Sequence, residues 1–298
     1  MLGLVRFLAL FVLCMPMTTA LADNIRLVIR LKDGLPAQST SAQSTQARAF
    51  KPSQSFVLDE LAVDKKLASL SQVHQTRFKR VRQYQSDGLV IMADSALQSR
   101  QLIQRLQSDP AVLSVDEDRP IRVRAQNPLV GLLNTLDLSL RPRFWIHRTT
   151  DVQPASINSE SMWLRYHGSA SAVVAVLDTG VLFNHPALQG HLLPGFDFVS
   201  DAFQGNDGQS TVAGSDRDSD PSDPGDGVGP TDLLNSSACA AVSDSSWHGT
   251  FTASLIAGNP NVSEGYFPTA WNALILPVRV LGRCGGFSSD LADGIRWA

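Results

Sequence analysis

The eight residues 173–180, Val-Val-Ala-Val-Leu-Asp-Thr-Gly, decide the fold of the larger part of this chain. The apolar run that opens this stretch is rich in valine, which indicates a strand buried on both faces, as in a parallel sheet. Asp178 follows at the carboxyl end of the strand, where open α/β sheets hold their ligands and reacting groups. Strands alternate with helices from residue 151 to residue 298. We therefore expect a doubly wound parallel α/β sheet with a functional carboxylate at its edge.

His248 is the second residue of this predicted site. It opens a segment whose small and apolar residues are spaced as in a buried helix, and Gly258-Asn259-Pro260 ends that segment. The positive end of a helix dipole disfavours a charged imidazole, so we expect His248 to be neutral and able to take up a proton at about pH 7. An aspartate and a histidine so placed are two members of a nucleophile, base and orienter set. The structural alternatives are a carboxylate that caps a turn and a histidine that caps a helix.

Four blocks of sequence, in one order, resemble the subtilisin family of serine proteases. They are Asp178-Thr179-Gly180-Val181 with His185-Pro186-Ala187-Leu188, His248-Gly249-Thr250 with Ala253, residues 276–282, and residues 291–298. The resemblance implies that Asp178 orients His248 as the general base of an Asp-His-Ser triad. It also implies that protein or peptide substrates bind in a cleft lined by Gly285, Gly286 and Phe287. The chain would then contain only the N-terminal half of the family's catalytic domain.

The family's Gly-Thr-Ser block and its oxyanion asparagine do not occur in residues 1–298. We expect both to lie beyond residue 298, and the chain as it stands to be nearly inactive, because losing the serine lowers the turnover of a subtilisin by about a millionfold. If the chain truly ends there, the alternative is a secreted, non-catalytic binding or inhibitory protein. A pepsin-like aspartic protease is a further alternative, but it needs a second Asp-Thr-Gly or Asp-Ser-Gly, and none occurs.

Residues 1–22 have the organisation of a secretory signal peptide. Arg6 precedes an apolar run at 7–14, and Ala20-Leu21-Ala22 offers a cleavage site of the small-x-small type. The run is shorter than the ~20 residues of a membrane span, so we expect secretion to the periplasm or beyond the cell, without a stable membrane anchor. Cleavage removes Cys14 and leaves Cys239 and Cys284. In an oxidising compartment this pair predicts a disulfide, with two buried thiols as the alternative.

Residues 23–118 predict a small α+β domain with the order strand, helix, strand, strand, helix, strand. The elements are expected at 25–31, at 59–73 with helical apolar spacing at Leu61, Leu67 and Leu70, at 78–84, at 89–93, as a helix capped by Ser95 and stopped by Asp109-Pro110, and at 111–115. The segment resembles the ferredoxin-like propeptide of the subtilisin family, which implies an intramolecular inhibitor and chaperone. Residues 38–54 are interpreted as a flexible insertion, and residues 119–150 as a linker and the start of the mature region.

The charges of the chain are distributed unevenly. Residues 23–125 carry 16 basic and 11 acidic side chains, whereas residues 126–298 carry 8 basic and 17 acidic side chains. Opposite net charges suit two parts that dock on each other, although each set of charges can also serve only to solvate its own surface. We find no basic run of the kind that binds nucleic acid.

Five aspartates crowd a loop rich in glycine and proline between the aspartate and histidine blocks. They are Asp216, Asp218, Asp220, Asp223 and Asp226. Calcium binds several carboxylate and carbonyl oxygens in such loops, so a structural calcium site is one hypothesis. The spacing is not that of an EF-hand, and a solvated acidic loop is the equal alternative. No organic cofactor is expected.

Overall fold

The computed structural model describes residues 23–36, 59–85, 87–95, 97–122, 157–208, 217–235, 239–261 and 268–298. Its strands are β1 (Asp23–Leu31), β2 (Arg77–Tyr84), β3 (Gly88–Ser95), β4 (Val112–Glu117), β5 (Pro120–Ile121), β6 (Val173–Asp178), β7 (Phe196–Asp197), β8 (Leu274–Arg279) and β9 (Gly286–Phe287). Its helices are α1 (Glu60–His74), α2 (Ser99–Gln107), α3 (Ser159–Trp163), α4 (Ala202–Gly205), α5 (Pro230–Asn235), α6 (His248–Ala257) and α7 (Ser288–Trp297), with a 3₁₀ turn at Pro186–Leu188. The predicted signal peptide, the predicted insertion at 38–54 and most of the predicted linker lie outside the described residues.

Residues 23–122, here called the N-terminal unit, contain an antiparallel sheet with the strand order β2-β3-β1-β4. Apolar residues alternate along β1, and Leu27 and Ile29 are completely buried. They belong to one core with Leu67 of α1 and Leu102 and Leu106 of α2. The two helices therefore cover one face of the sheet, and the order of strands and helices is the one that the sequence predicts.

One detail of this unit differs from the prediction, and another was left open by it. Ser95 does not cap α2: it is the last residue of β3, its hydroxyl accepts a hydrogen bond from the backbone N–H of Leu97, and α2 begins only at Ser99. Leu61 is 66% exposed, because the face of α1 that meets the sheet is formed by Val63, Leu67 and Leu70. Helical spacing alone does not determine which face of α1 packs on the sheet.

Residues 157–298, here called the C-terminal unit, are built around the parallel sheet β6-β8-β7. On one face of the sheet, Val176 and Ile275 pack against Ala253 and Ala257 of α6. On the other face, Val278 packs with residues of β6 and α7, and those partners include Leu177, Leu291 and Trp297. Helices on both faces of a parallel sheet confirm the doubly wound architecture that was predicted from residues 173–180.

The two units pack against each other through the face of the N-terminal sheet that α1 and α2 leave uncovered. Val90 lies on that face, because it alternates along β3 with the core residues Leu89 and Ile91, and yet it is completely buried. Arg82 of β2 donates hydrogen bonds to two carboxylates of α7. The outer face of the sheet is thus an interface with the C-terminal unit.

Candidate active site

Asp178 and His248 meet at the carboxyl end of the parallel sheet. Asp178 is the last residue of β6, and His248 is the first residue of α6. The Nδ1 atom of His248 lies 2.8 Å from each carboxylate oxygen of Asp178. A carboxylate at this nitrogen favours the tautomer with the proton on Nδ1, so that Nε2 can accept a proton. The Asp178 side chain is 9% exposed and that of His248 is 41% exposed, so the ring can be reached from solvent.

Two glycines allow this close approach. The backbone of Gly180 has a φ of +99°, in the left-handed region that favours glycine. A Cβ atom on Gly249 would lie 2.1 Å from the carbonyl oxygen of Gly180. The first turn of α6 therefore sits directly on the turn that follows β6, and only a residue without a side chain fits between them.

Thr179 and Asp223 connect this turn to the acidic loop. The Thr179 hydroxyl donates a 2.7 Å hydrogen bond to Oδ2 of Asp223 and accepts a 3.0 Å bond from the backbone N–H of Gly249. Both side chains are buried, and burial raises the pKa of Asp223. The sequence pattern predicts Asp223 only as a ligand of the hypothetical calcium site and predicts no role for Thr179. A hydroxyl residue directly after the strand-end aspartate is the sequence feature that could have indicated this contact.

The described aspartates of the acidic loop have separate hydrogen-bond partners, within the loop and next to it, and do not converge on one point. Asp218, Asp220 and Asp223 each accept a hydrogen bond from the backbone N–H two residues further along, and Asp226 accepts bonds from the backbone and hydroxyl of Ser246. Within the described ranges, no group of three or more His, Cys, Asp or Glu side chains is arranged to hold a metal ion. Asp216 lies outside those ranges. The described carboxylates are not gathered into such a cluster, and calcium binding stays a prediction.

Two residues of the predicted peptide cleft, Gly286 and Phe287, form the edge strand β9, which pairs with a strand of the N-terminal unit. β9 follows the carboxyl end of β8, which is the end of the parallel sheet where β6 presents Asp178. Pro120 pairs antiparallel with Phe287, and Ile121 with Gly286. A Cβ atom on Gly285, whose φ is +106°, would lie 2.0 Å from the carbonyl oxygen of Ile121. Pro120 and Ile121, which the sequence placed in a linker, thus form the short strand β5.

A disulfide joins Cys239 to Cys284, with 4.9 Å between the two Cα atoms. Cys284 has a φ of +64° and directly precedes the two glycines of the predicted cleft. Arg283, the residue before it, forms an ion pair with Asp232 of α5. The bend that leads into β9 is therefore held by a covalent bond and an ion pair.

The comparison with known protein families agrees with this geometry. The model of the subtilase family matches residues 169–298. This matched part of the chain is here called the subtilase domain. It contains the Asp178–His248 pair, the parallel sheet and the edge strand β9, and the N-terminal unit precedes it.

Two similar proteins are named as extracellular proteases. The chain is 36% identical over 212 residues to an extracellular protease of Xanthomonas campestris, a match that covers 70% of this chain and 33% of the relative. It is 37% identical over 149 residues to an extracellular basic protease of Dichelobacter nodosus, covering 48% of this chain and 23% of the relative. The chain thus spans about a third or less of the length of these relatives.

The chain is also similar in sequence to a solved structure of proteases from Pseudoalteromonas arctica. The identity is 42% and the TM-score is 0.40, and the match covers 47% of this chain and 38% of the chain in that structure. Among the described parts of our chain, no helix is long and apolar enough to cross a membrane.

Proposed function

We propose that the complete protein is a secreted serine endopeptidase that is made as an inhibited precursor. The observation that carries the proposal is the contact of 2.8 Å between the Asp178 carboxylate and Nδ1 of His248 in a subtilase domain. An orienting carboxylate and a neutral imidazole are the groups that activate a serine hydroxyl. The organisation of residues 1–22 and the extracellular relatives support secretion.

In the proposed reaction, a serine from residues that follow 298 in the complete protein attacks the carbonyl carbon of a peptide bond. Nε2 of His248 takes the proton from the serine hydroxyl and later gives it to the leaving amine. Asp178 holds the ring in place and stabilises the imidazolium that forms in between. A backbone or asparagine donor, also from the following residues, stabilises the oxyanion.

The N-terminal unit is proposed to inhibit this reaction by occupying the substrate edge. An extended substrate can add to β9 only through the backbone groups that face β5 in this structure. The unit is also held at the N-terminus of α7, where Asp118 accepts hydrogen bonds from the backbone N–H and hydroxyl of Ser289. A buried carboxylate at a helix N-terminus satisfies free amides of the first turn. Substrate access therefore requires the unit to leave.

Peptide hydrolysis by the complete protein tests the catalytic proposal. His248→Ala is expected to lower kcat by about a millionfold, the size of effect seen when the histidine of a subtilisin is removed. His191→Ala serves as the control, because this ring contacts the backbone carbonyl of Ala273 and not the site. Full hydrolysis by the His248 variant would overturn the proposal. A complete protein that hydrolyses no peptide after removal of the N-terminal unit would favour the binding or inhibitory alternative.

The inhibitory role is tested on the uncleaved precursor of the complete protein. Asp118→Ala removes the hydrogen bonds of Asp118 to Ser289 of α7 and is expected to raise the residual peptidase activity of the precursor severalfold. Glu117→Ala is the matched control, since the neighbouring Glu117 forms a long ion pair of 3.6 Å with the exposed Arg119. Equal residual activity in both variants and in the parent protein would contradict inhibition through this contact.

A further inference from the structure

Helix α7 presents two carboxylates to the N-terminal unit. Asp290 and Asp293 are one helical turn apart and therefore lie on the same face of α7. The Asp290 side chain is completely buried and that of Asp293 is 16% exposed. Ser200 donates hydrogen bonds to Oδ2 of Asp290 from its backbone N–H and its hydroxyl. Because Ser200 uses Oδ2, the other carboxylate oxygen, Oδ1, can accept hydrogen bonds from further residues.

Two guanidinium groups bridge these carboxylates in the same way. Arg82 donates from Nη1 to Oδ2 of Asp293 at 2.9 Å and from Nη2 to Oδ1 of Asp290 at 3.1 Å. Arg217 donates from Nη1 to the same Oδ2 at 3.0 Å and from Nη2 to the same Oδ1 at 2.6 Å. The paired nitrogens of a guanidinium span the two oxygens, and the single ammonium of lysine has no such fork.

The two arginines belong to different parts of the molecule. Arg217 belongs to the subtilase domain, and its Nε donates a 2.9 Å hydrogen bond to the carbonyl oxygen of Phe198. Arg82 belongs to the N-terminal unit, and its side chain is only 7% exposed. Burial, and then the positive charge of Arg217, lower the pKa of Arg82 below its usual value. Arg82 therefore occupies this position against a cost in desolvation and repulsion, which the charges of the two carboxylates offset only in part.

We propose that Asp290 and Asp293 form a guanidinium-binding site of the subtilase domain, and that Arg82 of the N-terminal unit binds there. Arg217 is a permanent part of this site. When Arg82 is absent, Asp290 keeps Arg217 and Ser200 as partners, and Asp293 keeps Arg217 and a 3.4 Å contact to Arg296. The two carboxylates thus stay paired, so the site persists and recognises an arginine side chain. This inference goes beyond the proposed peptidase, because it requires no catalytic step.

Chemical rescue in the chain of residues 1–298 tests the site. Arg82→Ala is expected to accelerate hydrogen exchange of the α7 amides by about tenfold or more, the effect of losing charge-assisted hydrogen bonds. Methylguanidinium at millimolar concentration should restore the slow exchange, and methylammonium at the same concentration should not. Arg82→Lys should behave like Arg82→Ala. Exchange of the β1 amides reports whether each variant keeps the N-terminal unit folded.

Arg80→Ala is the matched control, because Arg80 lies on the same strand and pairs with Glu60 inside the N-terminal unit. It should leave α7 exchange unchanged and insensitive to methylguanidinium. The double variant Arg82→Ala with Asp293→Asn should lose the rescue. Unchanged α7 exchange in Arg82→Ala would overturn the proposal. Equal rescue by methylammonium, or normal exchange in Arg82→Lys, would also overturn it, because each would show a plain positive charge to be sufficient.

Discussion

Asp223 accepts a 2.7 Å hydrogen bond from the hydroxyl of Thr179, although 44 positions separate the two residues. Because Thr179 also accepts the backbone N–H of Gly249, this contact ties the acidic loop to both elements that carry the Asp178–His248 pair. Asp223 is 4% exposed and Thr179 is 1% exposed, so neither finds a replacement partner in bulk water. The acidic loop thus helps to hold Asp178 and His248 in position.

Thr179→Val is expected to lower the free energy of unfolding by about 1–3 kcal/mol, because it leaves the amide of Gly249 and the carboxyl of Asp223 buried without this partner. Denaturant unfolding of the 1–298 chain measures the loss. Thr179→Ser keeps the hydroxyl and should stay close to the parent chain. If the valine variant, which keeps the methyl group and loses only the hydroxyl, were as stable as the parent chain, the two hydrogen bonds of Thr179 would not stabilise the fold.

Gly249→Ala should destabilise the C-terminal unit by about 1–3 kcal/mol or more, because the added methyl group overlaps the carbonyl of Gly180 and forces α6 away from β6. Chemical unfolding again gives the free energy. In Gly229→Ala, the control, the new methyl group would meet its nearest atom at an ordinary 3.5 Å. Equal stability of the two variants would show that the turn after β6 can shift to make room for the added methyl group.

Replacement of both Cys239 and Cys284 by serine should cost up to about 4 kcal/mol, the value that the chain-entropy model assigns to closing a loop of about 45 residues. Thermal unfolding of this double variant, beside the parent chain with and without a thiol reductant, measures the effect. The reductant should lower the midpoint of the parent and leave that of the variant unchanged. A reductant effect on the variant would point to another cause.

Asp109 makes the stability of the N-terminal unit depend on pH. Its carboxylate lies 2.8 Å from Nε2 of His74. Burial opposes its ionisation, but the backbone N–H of Ala111 and the His74 ring outweigh burial and lower the pKa of Asp109 below the usual 3.8. A lowered pKa in the folded state means that the stabilisation is present above about pH 3.8 and is lost as the pH falls through the folded-state value.

The parent chain should therefore be more stable than Asp109→Asn at neutral pH, by an amount that does not change with pH. This difference in the free energy of unfolding should shrink below about pH 4. Acid-dependent unfolding of both chains measures this difference, with the exposed Asp116→Asn as the control. A difference that grows as the pH falls would have the wrong sign and would contradict the assignment.

Local patterns predicted the elements well, whereas contacts between distant elements were not visible in them. The apolar run before Asp178 and the spacing after His248 predicted β6 and α6, because burial periodicity is a property of neighbouring residues. Ser95 was assigned wrongly, since its plausible local role as a helix cap is overridden by its place in the sheet. Pro120 and Ile121 have no periodicity, and only their pairing with β9 makes them a strand.

By itself, the sequence determined that a buried strand ends in Asp178, that a helix begins at His248, and that an α+β segment precedes them. Only the tertiary structure decided that Asp223 supports Thr179 and that Arg82 shares two carboxylates of α7 with Arg217. The physical reason is that hydrophobic periodicity acts over one or two turns of chain. Hydrogen bonds and ion pairs join whichever groups the fold brings within about 3 Å, and 208 positions separate Arg82 from Asp290.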